Sequence, residues 1–196
     1  MRSGNRDIWV MPSAGGPARQ LTFNPASEFC PAWSPDGKQI AFESRRGGSR
    51  DVWVVAAEGG EPRQITNHPG IDSYGVWSPD GEWLVFQSNR SGSQGLWRVP
   101  PSGGEPEQLF DGTSGMVRFA PDGKRLYGTT GIEEYAGNVW ALSLDDGTTV
   151  RVTDFVGRRG HLGWSLDTDG QYVYFFWQED LGDIWVMDVV TDESGG

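Results

Sequence analysis

Few side chains in this 196-residue chain could do nucleophilic, acid–base or metal chemistry. There are two histidines (His68 and His161), one cysteine (Cys30) and 27 acidic residues. A histidine base must stand within hydrogen-bond reach of the nucleophile it activates, and these two fall in distant segments that occupy different phases of an internal repeat. A serine elbow requires G-x-S-x-G between a strand and a helix; "GTSGM" (112–116) lacks the final glycine. "DTDG" (167–170) begins like a calcium loop, yet the twelfth position counted from Asp167 is Gln178 and not glutamate. Two histidines are too few for a histidine metal cluster, and a single cysteine excludes an internal disulfide or a cysteine-built zinc site. The residues predict a protein that is not an enzyme and that uses no cofactor and no metal.

One acid-bearing motif does recur. "WSPDGKQIAF" (33–42) returns as "WSPDGEWLVF" (77–86), so Asp36 and Asp80 each lie three residues after a tryptophan. Further copies are "FAPDG" (119–123) and "WSLDTDG" (164–170). A catalytic acid needs to occur once, whereas a turn is needed at every repeat. Pro presets φ, Asp bonds its own backbone and Gly accepts a positive φ, so Asp36, Asp80, Asp122 and Asp169 are predicted to turn the chain.

The elements around these turns repeat in phase over the whole chain. Tryptophan segments centre on Trp9, Trp53, Trp97, Trp140 and Trp185, spaced 44, 44, 43 and 45 residues. Trp33, Trp77, Phe119 and Trp164 are spaced 44, 42 and 45. "GGPARQLT", "GGEPRQIT", "GGEPEQLF" and "DGTTVRVT" follow the tryptophan segments in turn. Each unit reads as four short strands with turn signals between them, the signature of a propeller blade. The expected fold is an all-β propeller of four-stranded antiparallel blades, about four to four and a half of them. A partial blade covers 1–22, full blades 30–66, 74–110 and 115–153, and a second partial blade 160–187. Trp33 and its equivalents are expected in the blade cores.

Composition limits the partners. The net charge is −11 and the pI about 4.5, so a phosphate backbone is repelled and no nucleic-acid role is expected. No run of 18 apolar residues occurs, so no membrane insertion is expected of this segment, and the opening "MRSGNRDIWV" has no apolar signal region.

The stretch "PAWSPDGKQIAFESRRGGSRDVWVVAAEGGEPRQIT" (31–66) resembles the TolB-like, WD-like propeller repeat nearly throughout, and 74–110 nearly as well. The blade at 115–153 departs from the pattern, with Gly128 in place of an apolar residue and the longer loop "TTGIEEYAGN". Propellers of this family are typically six-bladed, so the resemblance implies the C-terminal part of a larger propeller; a small ring and closure by oligomerisation through open blade edges are the alternatives. It implies a bacterial scaffold that binds a protein, a peptide or a small ligand. Its alternatives are the gating propeller of a prolyl-oligopeptidase-like serine peptidase and, more weakly, a carbohydrate-active propeller. It favours the periplasm, and the residues do not exclude the cytoplasm.

In such a blade the short "PDG" and "GG" turns share one face and the varied loops share the other. Recognition belongs on varied loops held by a rigid scaffold. The candidate binding residues there are Glu28, His68, Asp72, Tyr74, Arg118, Arg158, Arg159 and His161, with Cys30 and Met116 at positions equivalent to Tyr74 and His161. The "IEEY" loop (132–135) is mostly a solvated loop on this reading.

Overall fold

A computed structural model describes residues 4–112, 115–129, 137–155, 160–178 and 186–188. Every regular element among them is a strand, and the chain forms two compact units, residues 1–112 and 113–196.

The first unit opens with a two-stranded sheet, β1 (Trp9–Val10) and β2 (Arg19–Gln20). Two four-stranded antiparallel sheets follow. One holds β3 (Glu28–Trp33), β4 (Gln39–Ser44), β5 (Asp51–Ala56) and β6 (Arg63–Gln64). The other holds β7 (Asp72–Trp77), β8 (Leu84–Ser88), β9 (Gly95–Val99) and β10 (Glu107–Asp111). In the second unit β11 (Val117–Phe119), β12 (Arg125–Thr129), β13 (Val139–Ser143) and β14 (Thr149–Arg151) make a third such sheet. A three-stranded sheet comes last, formed by β15 (His161–Thr168), β16 (Tyr172–Gln178) and β17 (Val186–Asp188). In every sheet neighbouring strands are consecutive in the chain, because each connection is short enough only for an antiparallel return.

Within each unit neighbouring sheets pack face to face. Ala41 and Val54 share one cluster with Trp77, Leu84 and Phe86 of the next sheet. Ile40, Phe42 and Val55, on the opposite face of the same strands, join Ile8 and Leu21 of the sheet before. β4 is therefore buried on both sides, and its apolar residues run together instead of alternating with exposed ones. β16 does alternate: Val173, Phe175 and Trp177 are buried, Tyr174 and Phe176 exposed. In the third sheet a side chain at Gly128 would collide with the Trp140 ring, which is buried there. Four-stranded antiparallel sheets stacked through such cores make this an all-β propeller.

The repeated turns use the chemistry their residues suggest. Asp36 Oδ1 accepts from Lys38 N at 3.0 Å and from the Ser34 hydroxyl at 2.7 Å, while Ser34 Oγ accepts from Gln39 N at 2.9 Å. Asp80 and Ser78 repeat the arrangement with Glu82 N and Trp83 N. Asp122 takes Lys124 N, and Asp169 takes the amides of Gln171 and Tyr172. Gly37 and Gly81 supply φ values of 69° and 75°.

The equivalent tryptophans do not share one environment. Trp77 is 9% exposed and its Nε1 donates to Ala32 O in the preceding sheet at 3.1 Å. Trp33, expected in a blade core, is 50% exposed. Among the described residues the sheet ahead of it consists of β1 and β2.

Candidate functional site

The candidate residues separate once their surroundings are known. Glu28 and Asp72 occupy equivalent positions at the starts of β3 and β7, and both are buried. Glu28 is bonded by Arg46 and by the Thr22 hydroxyl. Asp72 is bonded by Arg90, Nη2 to Oδ2, at 2.7 Å. Each guanidinium also lies over two rings of its own sheet, Phe42 and Trp53 for Arg46, Phe86 and Trp97 for Arg90. Burial holds the Arg46 pKa below its ordinary value. These carboxylates compensate buried cations twice over, which is work for a scaffold.

Asp51 belongs to a second repeated network. Its carboxylate accepts from Gln64 Nε2 at 3.1 Å, from the Ser49 hydroxyl at 2.6 Å and from His68 N at 3.3 Å. Thr66 Oγ1, which lies 3.4 Å from Asp51 Oδ1, accepts from Val52 N, just as Thr22 Oγ1 accepts from Ile8 N and Thr153 Oγ1 from Val139 N. His68 is half-buried, and its Nδ1 accepts from Gly70 N at 2.9 Å, which shapes the loop into β7.

Cys30 and Tyr74 behave differently. They are the two non-glycine residues among those described with positive φ, at 52° and 55°. Both lie where the first-strand register shifts, between Phe29 and Ala32 and between Ser73 and Val76. A left-handed Cys or Tyr costs roughly 1–2 kcal/mol, and the bulge re-aims each side chain away from the regular ladder. The two stand near one another across successive sheets: burial raises the Tyr74 pKa first, and Cys30 and Glu43 add to it. Glu43 Oε2 accepts from Tyr74 N at 3.4 Å, and its Oε1 lies 3.7 Å from Arg50 Nη1. Burial raises the Glu43 pKa, with Arg50 opposing it. The Arg50 carbonyl takes Asp72 N at 2.8 Å and ties this corner to β7. Gly75 lets β7 approach, since a Cβ there would come within 3.1 Å of Val52 Cγ1.

The buried Glu43 and the half-buried Cys30, Arg50 and Tyr74 thus form one polar cluster on the varied-loop side of the first unit. Sequence reasoning found Tyr74 and Cys30 but missed Glu43 and Arg50. The available signal was a charged residue inside the apolar run "QIAFES", where Gln87 stands in the next blade.

Arg118 and His161 belong to the second unit. Arg118 is half-buried and its Nη1 donates to the neighbouring Val117 carbonyl at 2.9 Å. His161 is exposed at the start of β15, opposite Gln178. Arg158, Arg159 and the "IEEY" loop lie outside the described residues. Among the described residues no group of three or more His, Cys, Asp or Glu is placed to hold a metal ion, and no helix is long and apolar enough to cross a membrane.

A recess of about 400 Å³ opens on the turn side of the first unit, lined by Pro35, Asp36, Gln39, Trp77, Asp80 and Pro101. Its two aspartates lie below the usual carboxylate range, chiefly because Ser34 and Ser78 hydroxyls and turn amides bond them. Those oxygens are engaged in closing turns.

Comparison with known proteins agrees with this architecture. The TolB candidate of Agrobacterium tumefaciens is 26% identical with a TM-score of 0.68, over 77% of this chain and 57% of its own. TolB of Acinetobacter baumannii is 20% identical with a TM-score of 0.75, over 94% of this chain and 47% of its own. A puromycin-hydrolyzing peptidase of Mycobacterium tuberculosis is 20% identical with a TM-score of 0.69, over 89% of this chain and 29% of its own. The chain therefore spans about half the length of the TolB chains it matches. The curated proteins give no match. A family model, the Tricorn protease N-terminal beta propeller domain, matches residues 3–135. That match takes in more than half of the sequence, and the chain belongs to this propeller family.

Proposed function

We propose that this chain is a non-catalytic recognition module that takes a protein or peptide segment against the varied-loop side of its first unit. The observation that carries the reading is the pair of left-handed residues, Cys30 and Tyr74, set around the Glu43–Arg50 ion pair. Backbone strain of this kind persists where the surroundings over-determine it, and it gathers at binding and catalytic sites. Tyr74 supplies an aromatic anchor with a polar tip, and Arg50 supplies fork-shaped donors, the residue types that dominate recognition surfaces. The net charge of −11 disfavours polyanions and speeds encounter with basic segments. TolB-type likeness supports a scaffold, whereas the peptidase likeness, below 25% identity, bears on the fold alone.

The test is binding of the purified chain to an immobilised library of short basic and neutral peptides. Tyr74→Gly removes the ring and relieves the left-handed strain, so the chain stays folded while affinity falls about tenfold or more, the loss expected of one anchor residue. Asp36→Ala, on the turn side, leaves binding unchanged. Equal binding by wild type and Tyr74→Gly, or loss only with Asp36→Ala, overturns the reading.

A further inference from the structure

Arg50 is set apart from the other half-buried arginines of the first unit by what its donors meet. Arg46, Arg90 and Arg98 each give a hydrogen bond to a carboxylate. Arg50 comes no nearer to an acid than 3.7 Å, from Nη1 to Glu43 Oε1, and its side chain stays 30% exposed. Its fork of donors keeps room for an acceptor from outside. The Tyr74 hydroxyl is a second donor without an acceptor among the described residues. Arg50 opposes the rise that burial gives the Tyr74 pKa, so the cation stands close enough to the phenol to act on it.

The backbone holds these donors in place. Asp72 N donates to Arg50 O at 2.8 Å, and Arg50 pairs with Ile71 in an isolated parallel bridge. The left-handed bulge fixes Tyr74 from the other side. Donors held on such a frame lose little freedom when a ligand arrives. Nor does the arrangement belong to the repeat. Forty-four residues on, Gln87 and Gln94 take the places of Glu43 and Arg50. An architectural pair returns from blade to blade, as Glu28–Arg46 does at Asp72–Arg90. A pair that occurs once suits a ligand.

Charge narrows the ligand. The guanidinium fork matches a carboxylate, which accepts two parallel hydrogen bonds. Glu43 is a weaker obstacle to a second carboxylate than its type suggests, because burial favours its neutral form and both Arg50 and Arg45 lie near it. The chain as a whole carries −11 and repels acidic segments. A neutral or basic segment still brings one carboxylate, at its C-terminus.

We propose that Arg50 and the Tyr74 hydroxyl bind the C-terminal carboxylate of a peptide or protein tail. The assignment rests on the recognition role proposed above for this cluster and gives it a direction, since the bound segment ends at Arg50. Capture of a terminal carboxylate by convergent donors is a recurring mode of peptide recognition.

Neutral and basic peptides immobilised through their N-termini test this in two forms, with a free C-terminal carboxylate and with a carboxamide. The purified chain is expected to bind the free acids about tenfold or more tightly than the amides, the gain of one charge-assisted pair. Arg50→Gln abolishes the preference, and Glu43→Gln, which removes the competing acid, enlarges it. Amidated peptides carrying one internal glutamate bind no better than amides without it. Equal binding of free acids and amides by the wild-type chain overturns the assignment while leaving peptide recognition standing, and that comparison needs no variant to fold. Amides rescued by the internal glutamate overturn the terminal source of the carboxylate. A preference that survives in folded Arg50→Gln, or that shrinks in Glu43→Gln, overturns the placement at Arg50. Binding of neither form overturns the recognition role and this assignment with it.

Discussion

Arg90 Nη2 stands 2.7 Å from Asp72 Oδ2, with the guanidinium 5.1 Å from the ring centroids of both Phe86 and Trp97. Forty-four residues earlier Arg46 and Glu28 form the same pair over Phe42 and Trp53, and there the second carboxylate oxygen takes the Thr22 hydroxyl. Asp72 is one methylene shorter, and its Oδ1 has no hydrogen-bond partner among the described residues. Asp72→Glu extends the carboxylate toward Thr66, the equivalent of Thr22, whose hydroxyl then exchanges its long 3.4 Å bond to Asp51 for one to the new carboxylate. The variant is expected to be more stable by about 0.5 kcal/mol, the low end for a hydrogen bond because one is traded for another. Asp72→Ala leaves the Arg90 cation buried without its partner and costs about 3–5 kcal/mol. Urea denaturation of both variants measures these changes.

Cys30→Gly separates backbone strain from side-chain contact. Glycine accepts φ near 52° without the Cβ clash that burdens cysteine. The half-buried thiol contributes less than the strain it imposes, so the variant gains about 0.5–1 kcal/mol. Cys30→Ala keeps a Cβ in the left-handed region and does not gain. Paired denaturation curves for the two substitutions give the comparison.

Glu43 is a buried carboxyl whose pKa is raised, by burial first, against the pull of Arg50. A raised folded pKa means that the folded state holds its proton more tightly than the unfolded chain. The associated stability is present below the ordinary glutamate range and is lost as pH rises through the folded value. Glu43→Gln removes that loss, and glutamine can still accept from Tyr74 N, as Gln87 stands at this position in the next sheet. The variant should exceed wild type in stability at neutral pH and match it in acid. A constant difference at all pH values in thermal melts would count against burial as the cause.

The turn acids run the other way. Asp36 and Asp80 have lowered pKa values because Ser34, Ser78 and turn amides bond the charged form. Their stabilisation is present above the ordinary aspartate range and disappears as pH falls through the folded value. Asp80→Ala is expected to cost about 0.5–2 kcal/mol at neutral pH through the lost capping bonds. The deficit narrows as both proteins are acidified, and melts at neutral and acid pH follow it.

The blades were legible because their signals are local. "SPDG" closes the same serine–aspartate turn at Asp36 and Asp80 whatever lies beyond it, since donors and acceptors sit within five residues of one another. The 44-residue phase of the tryptophans likewise places every third strand without reference to its neighbours. The binding candidates were legible only in part. Tyr74 and Cys30 could be placed at the loop-to-strand boundary, but their left-handed φ arises from the bulges at Phe29/Ala32 and Ser73/Val76. Glu28 and Asp72 looked like loop acids because the arginines that bury them come from 18 residues further along the chain.

Fold class, blade length and turn chemistry are properties of the sequence itself, because a period of residues and a four-residue turn are satisfied within one blade. Which tryptophan is covered is not. Trp33 and Trp77 share the motif "WSPDG", yet one is half exposed and the other nearly buried with its Nε1 on Ala32 O. Burial depends on what the neighbouring sheet sets against the ring, as Ala32 does for Trp77, and that contact is made between residues 45 positions apart, which only the tertiary structure brings together.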